Sequence, residues 1–160
     1  MLLVIADTSP IRYLVLVGHI DLLHQLFPAV TIPIEVAREL ADPSAPPAVQ
    51  AWIASPPAWL SVVDAVDTDD PALQNLDPGE RAAIALGIKL KANLILIDER
   101  RGSAAAVSKG IEVTGTLGIL DLAARRHLVN LPQAIERLKQ TNFRYRKQMI
   151  EELLAQHQDQ

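Results

Sequence analysis

The chain has no cysteine. That excludes a disulfide framework and any thiolate-held metal, and it fits the cytoplasm as the expected compartment. Aromatic residues are scarce, at 4% of 160 positions. That is too few for a broad platform on which bases stack. Long apolar runs are also missing. The run Leu2 to Ala6 is five residues long, and no basic segment precedes it. It is therefore read neither as a signal peptide nor as a membrane span, and a soluble protein with no membrane partner is expected. Positive charge is not in excess: 15 Lys and Arg stand against 19 Asp and Glu, a formal charge of −4. Any nucleic-acid contact has to come from a local patch. The histidines (His19, His24, His127, His157) show no ligand spacing and are read as surface or packing residues.

What is present is an ordinary globular composition, 49% apolar and 21% charged. The length suits one domain, 1–160, with residues 155–160 as a frayed polar tail. Short apolar runs at 2–6, 30–32, 59–63, 93–97 and 111–113 read as strands. Between them lie helical segments at 9–18, 21–27, 33–41, 49–55, 79–90, 101–109 and 119–127, followed by 132–140 and 145–156. Residues 42–47 form a Pro-rich loop, and 64–78 an acidic, solvated loop with one helical turn at 72–76. The segment 114–118, TGTLG, reads as a tight connection. Strands alternating with helices predict a three-layer α/β/α sandwich around a parallel sheet of about five strands.

Two of these strands run directly into aspartate, Asp7 and Asp98. Carboxylates in that place fall at the carboxyl edge of a parallel sheet, where ligands bind. Glu80 opens a helix above the same edge, and Glu39 lies on the helix after the second strand. Each has a plain structural reading too. Asp7 suits a helix cap, Glu80 a dipole residue in a first turn, Asp98 a turn former and Glu39 a solvated helix face. Convergence is the alternative. Several carboxylates in one pocket cannot all stay ionised without a cation, and such an oxygen-donor set suits Mg²⁺ or Mn²⁺ and metal-activated hydrolysis of a phosphodiester.

Four segments, in order, resemble the PIN-domain family, the fold of the toxin ribonucleases of prokaryotic toxin–antitoxin pairs. They are ADTSP after the first strand, IPIEVARELAD with its Glu39-Leu40 pair, LDPGERAAIALGIKL with Glu80, and LILIDERRG with Asp98. TGTLGIL and Asn142-Phe143-Arg144 resemble one little-characterised subgroup. The resemblance implies a Mg²⁺- or Mn²⁺-dependent endoribonuclease acting on single-stranded or loop RNA. In it Asp7, Glu39, Glu80 and Asp98 are the catalytic metal ligands, with Thr8 and Ser9 supporting them from behind. It also implies a small antitoxin protein as partner and a homodimer. Glu35, one turn before Glu39, competes with it for the helix position. Glu80 stands where many members have Asp.

Arg100 and Arg101, beside Asp98, are candidate phosphate contacts, with Lys89, Lys91 and Lys109 nearby in sequence and Arg144, Arg146 and Lys147 as a second cluster. The competing reading is a PIN-like RNA- or protein-binding module with weak or no catalysis. A receiver-type domain is disfavoured, because Thr-Gly-Thr follows the last strand where that fold needs a lysine.

Overall fold

The computed structural model describes residues 2–64 and 66–158. Five strands form one parallel sheet in the order β3-β2-β1-β4-β5. They are β1 (Val4–Ala6), β2 (Val30–Pro33), β3 (Leu60–Val63), β4 (Leu94–Leu96) and β5 (Glu112–Thr114). The helices between and after them are α1 (Thr8–Leu16), α2 (Leu22–Leu26), α3 (Ile34–Ala41), α4 (Pro47–Ala54), α5 (Pro78–Leu90), α6 (Arg100–Ser108), α7 (Thr116–Arg125), α8 (Leu131–Lys139) and α9 (Lys147–Gln156).

The central strands are apolar on both faces because both faces are covered. Successive side chains point to opposite sides of a strand, and the core divides accordingly. Val4, Ala6 and Leu96 join the cluster under α1, α2, α3, α7 and α8. Ile5, Ile95 and Ile97 join the cluster under α5 and α6. This is the expected α/β/α sandwich. The edge strand β3 buries only Leu60.

Local signals set most boundaries. Gly18 and Gly110 adopt φ of +79° and +81° and end the turns behind α1 and α6, a conformation that costs glycine little. Asn130 caps α8 by accepting from Gln133 N–H at 3.0 Å. One boundary departs from expectation. The segment 114–118 is not a free connection, because α7 begins at Thr116 rather than 119. Its cap is non-local: the Asp98 carboxylate accepts from Thr116 N–H at 2.7 Å and from Thr116 Oγ1 at 2.8 Å. A cap 18 residues away in sequence leaves no local signature.

The acidic loop is also less solvated than expected. A 3₁₀ turn at Pro71–Leu73 replaces the helical turn at 72–76, Leu73 and Leu76 are buried, and Asp70 pairs with Lys109 at 2.6 Å. The tail expected to fray from 155 is held further along. Residues 155 and 156 lie in α9, and His157 Nε2 meets Asp121 Oδ1 at 2.6 Å. The last two positions lie outside the described residues.

Candidate acidic site at the carboxyl edge of the sheet

Asp7 reaches the sheet edge through the backbone. Its N–H donates to Leu96 O at 2.8 Å, extending the β1–β4 pairing by one residue. Ile97 N–H likewise donates to Thr114 O at 2.9 Å, which sets Asp98 at the same rim one strand further along. Asp7 precedes α1 but makes no side-chain cap. The plain cap reading therefore fails for it. The residue is 4% exposed, and its Oδ1 is buried without a hydrogen-bond partner among the described residues.

Glu39 arrives from the second turn of α3. It accepts from the Thr8 hydroxyl, and its Oε1 accepts from Gly79 N–H at 3.2 Å. It thus clasps the starts of α1 and α5. Glu35 makes no such contact, and its Oε2 is buried without a partner among the described residues. Ser9 makes no side-chain hydrogen bond among them. Glu80, in the first turn of α5, is 7% exposed. A solvated dipole residue would not be so deep.

The electrostatics show that these acids share one region. Burial raises Asp7 to about 7, opposed by the Thr8 N–H and reinforced by the charges of Glu39, Asp77 and Asp98. Burial raises Glu80 to about 8, with Asp77, Asp7 and Glu99 adding to it and a side-chain hydrogen bond to Asp77 favouring its protonated form. Asp98 is raised by burial, opposed by the two Thr116 donors and reinforced by Glu99.

Asp77, Glu99 and Thr116 thus belong to the same region, although in sequence they read only as the end of an acidic loop, the neighbour of Asp98 and part of a tight connection. The spacing of Asp77 and Glu80, three apart at a helix start, was the one available signal for the first. Three glycines make the approach possible. An added Cβ would lie 2.5 Å from Glu39 Oε1 at Gly79, 2.5 Å from Asp98 Oδ1 at Gly115, and 2.5 Å from Ile97 Cδ1 and 3.5 Å from Glu80 Oε2 at Gly102.

Not everything predicted converges. Among the described residues no three His, Asp or Glu side chains close into a metal-holding group. The acids surround one region while Glu39 and Asp98 are engaged by Thr8, Gly79 and Thr116. Their hard oxygen donors, the buried Oδ1 of Asp7 with no partner among the described residues, and three carboxyls displaced toward neutrality nonetheless fit a divalent cation. Arg100 and Arg101 are exposed in the first turn of α6, on the acidic side. Lys89 and Lys91 are not: they lie at the far end of α5, about 20 Å from its start for 13 residues. Lys109 ends α6 and is taken by Asp70. Helices antiparallel to the strands carry their last residues to the opposite rim.

A parallel sheet covered on both faces, with acids from successive strand–helix junctions at its carboxyl rim, has the architecture of a nuclease-type α/β domain. The chain belongs to the PIN-domain family: a family model described as PIN domain matches residues 3–159. PIN domains are generally nucleases and generally use divalent metal ions. No curated protein and no solved structure matches the chain.

Proposed function

We propose that the chain is a Mg²⁺- or Mn²⁺-dependent endoribonuclease and the toxin of a toxin–antitoxin pair. The observation that carries the catalytic part is the buried Oδ1 of Asp7, without a partner among the described residues, in the field of Glu39, Asp77 and Asp98. A carboxylate so placed is costly unless a cation or a proton joins it.

In this reading Asp7, Glu39, Glu80 and Asp98 hold the ion. Such an ion supplies a water of lowered pKa and neutralises charge at the phosphodiester. The chain's own groups do the rest. Thr8 and Gly79 N–H orient Glu39, and Thr116 orients Asp98 with two donors. Glu80, raised to about 8 by burial, holds a proton near neutral pH while no ion is bound, and that proton must leave for it to act as a ligand. Asp7→Asn should abolish cleavage of RNA by the purified chain and relieve growth arrest on expression. Equal cleavage by that variant would sink the proposal.

The small antitoxin and the homodimer are part of the same reading. A neighbouring reading frame of antitoxin size, and a dimer mass by light scattering, are the observations that test them. A second reading, an RNA- or protein-binding module with weak or no catalysis, is favoured by one observation. The acids do not close into a metal-holding group among the described residues. Calorimetric titration with Mn²⁺ separates the two: one saturable site supports the enzyme, and no heat supports the module.

A further inference from the structure

The connection between α8 and α9 plays no part in the acidic site described above, yet it is tied to it. Tyr13, on the helix behind Asp7, donates its hydroxyl proton to Asn142 Oδ1 at 2.9 Å. Its ring meets Phe143 edge-on, with centroids 5.0 Å apart and planes at 85°. Phe143 is packed against the larger core cluster, so this clasp pins the connection to α1.

Arg12 Cζ lies 5.7 Å from the Tyr13 ring centroid, and Arg12 Nε is buried without a hydrogen-bond partner among the described residues. Neither Arg12 nor the exposed Arg144 has a carboxylate at ion-pair distance among them; the acids that pair do so with Lys109, Arg125, Lys139, Lys147 and His157. The Tyr13 phenol is raised by burial, with Arg12 and Arg144 opposing and Asp98 adding. One ring therefore stands in the field of an acid of the candidate site and of two guanidinium groups that have no ion-paired acid among the described residues. Arg12 is also one helical turn beyond Thr8, which holds Glu39.

We propose that Arg12 and Arg144, set in place by the Tyr13–Asn142 clasp, form a subsite that holds the backbone phosphates of an RNA strand beside the acidic site. The proposal rests on the ribonuclease reading above and locates its substrate. A chain of charge −4 gives a polyanion no general attraction, so local cations must supply it. Guanidinium suits the task because its planar fork matches two phosphate oxygens. The aromatic clasp holds the connection that carries Arg144, which lowers the ordering cost of binding.

The test measures fluorescence anisotropy of a labelled single-stranded oligouridine on the full chain carrying Asp7→Asn, in Mg²⁺, with steady-state cleavage followed in the chain that retains Asp7. Arg12→Ala and Arg144→Ala should each weaken binding about tenfold and reduce the slope of log K against log salt by about 0.7. In the cleaving chain they should raise KM while leaving kcat nearly unchanged. Tyr13→Phe, which breaks the bond to Asn142 and keeps both cations, should weaken binding less than either. Arg126→Ala removes the same charge just beyond the far end of α7 and should change nothing. Arg144 is exposed, so its variant carries the test if Arg12→Ala fails to fold. Unchanged binding by both arginine variants, with Asp7-dependent cleavage intact, overturns the subsite alone. An equal loss in Arg126→Ala reduces the effect to bulk charge and overturns it too. A parent chain that neither binds nor cleaves RNA overturns the ribonuclease reading along with the subsite.

Discussion

Asp7 is held by its backbone in a place that its side chain resists. The N–H to Leu96 O bond fixes the residue at the sheet edge, and burial there raises the carboxyl to about 7. A folded-state pKa above the unfolded value means that the fold prefers the protonated acid. Its contribution to stability is complete below the unfolded value of 3.8 and is lost as pH rises through about 7. Glu80, raised from 4.5 to about 8, acts in the same direction over a slightly higher window. Each pH unit of displacement corresponds to about 1.4 kcal/mol. Metal-free protein in EDTA should therefore melt at a lower temperature at pH 8 than at pH 5. Asp7→Asn, which mimics the neutral form, should flatten that dependence and raise the melting temperature at pH 8. A variant that melts lower at pH 8 would contradict the account. Thr116 invites a separate test. It is fully buried and donates twice to Asp98. Thr116→Val keeps its shape and backbone N–H but removes the hydroxyl, and should cost about 1 kcal/mol in urea unfolding. Cleavage should fall as well, because Asp98 loses one of the two donors that orient it.

At the scale of elements, the site is made where helices begin. The starts of α5, α6 and α7 each bring a glycine against a neighbouring element: Gly79 against Glu39, Gly102 against Ile97 beside Glu80, and Gly115 against Asp98. These are demands for space, whereas Gly110 meets a demand for backbone conformation, with φ +81° and nothing within 4 Å of an added Cβ. The two kinds should separate cleanly. Gly115→Ala must displace Asp98 Oδ1, 2.5 Å from the new carbon, or move Ile97 O, 3.2 Å away. It should lower Mn²⁺ affinity about tenfold, as loss of ligand support commonly does, with a near-native circular dichroism spectrum. Gly110→Ala should destabilise by about 1 kcal/mol through strain at positive φ while leaving Mn²⁺ affinity unchanged. Calorimetry and thermal melts on both variants check the contrast.

For the whole molecule, ion binding and folding are linked. A ligand that binds only the folded state stabilises it by about 2.7 kcal/mol at a hundred times its Kd. Under the metal-dependent reading Mn²⁺ should raise the melting temperature, and more at pH 8 than at pH 6, because protons on Asp7 and Glu80 must leave first. Asp7→Asn should abolish the increment. A melting temperature indifferent to Mn²⁺ at both pH values would favour the binding-module reading. The acids raise one another across separate elements that the core clusters hold in place.

Much of this architecture is legible in the sequence. Apolar runs ending in Asp7 and Asp98 announce buried parallel strands and their carboxyl rim, because burial on both faces demands unbroken apolar sequence. Proline, glycine and cap residues mark helix ends through purely local geometry. The tertiary structure alone decided three things. Thr116 starts α7 because Asp98 caps it from another strand. Glu39 rather than Glu35 meets Thr8 and Gly79, since the two acids share a face of α3 but lie about 6 Å apart along its axis. Tyr13 finds Asn142, which lies 129 residues on. The reason is the same in each case. Backbone preference and apolar periodicity are written in neighbouring residues, whereas the pairing of a polar side chain depends on which elements the core brings face to face.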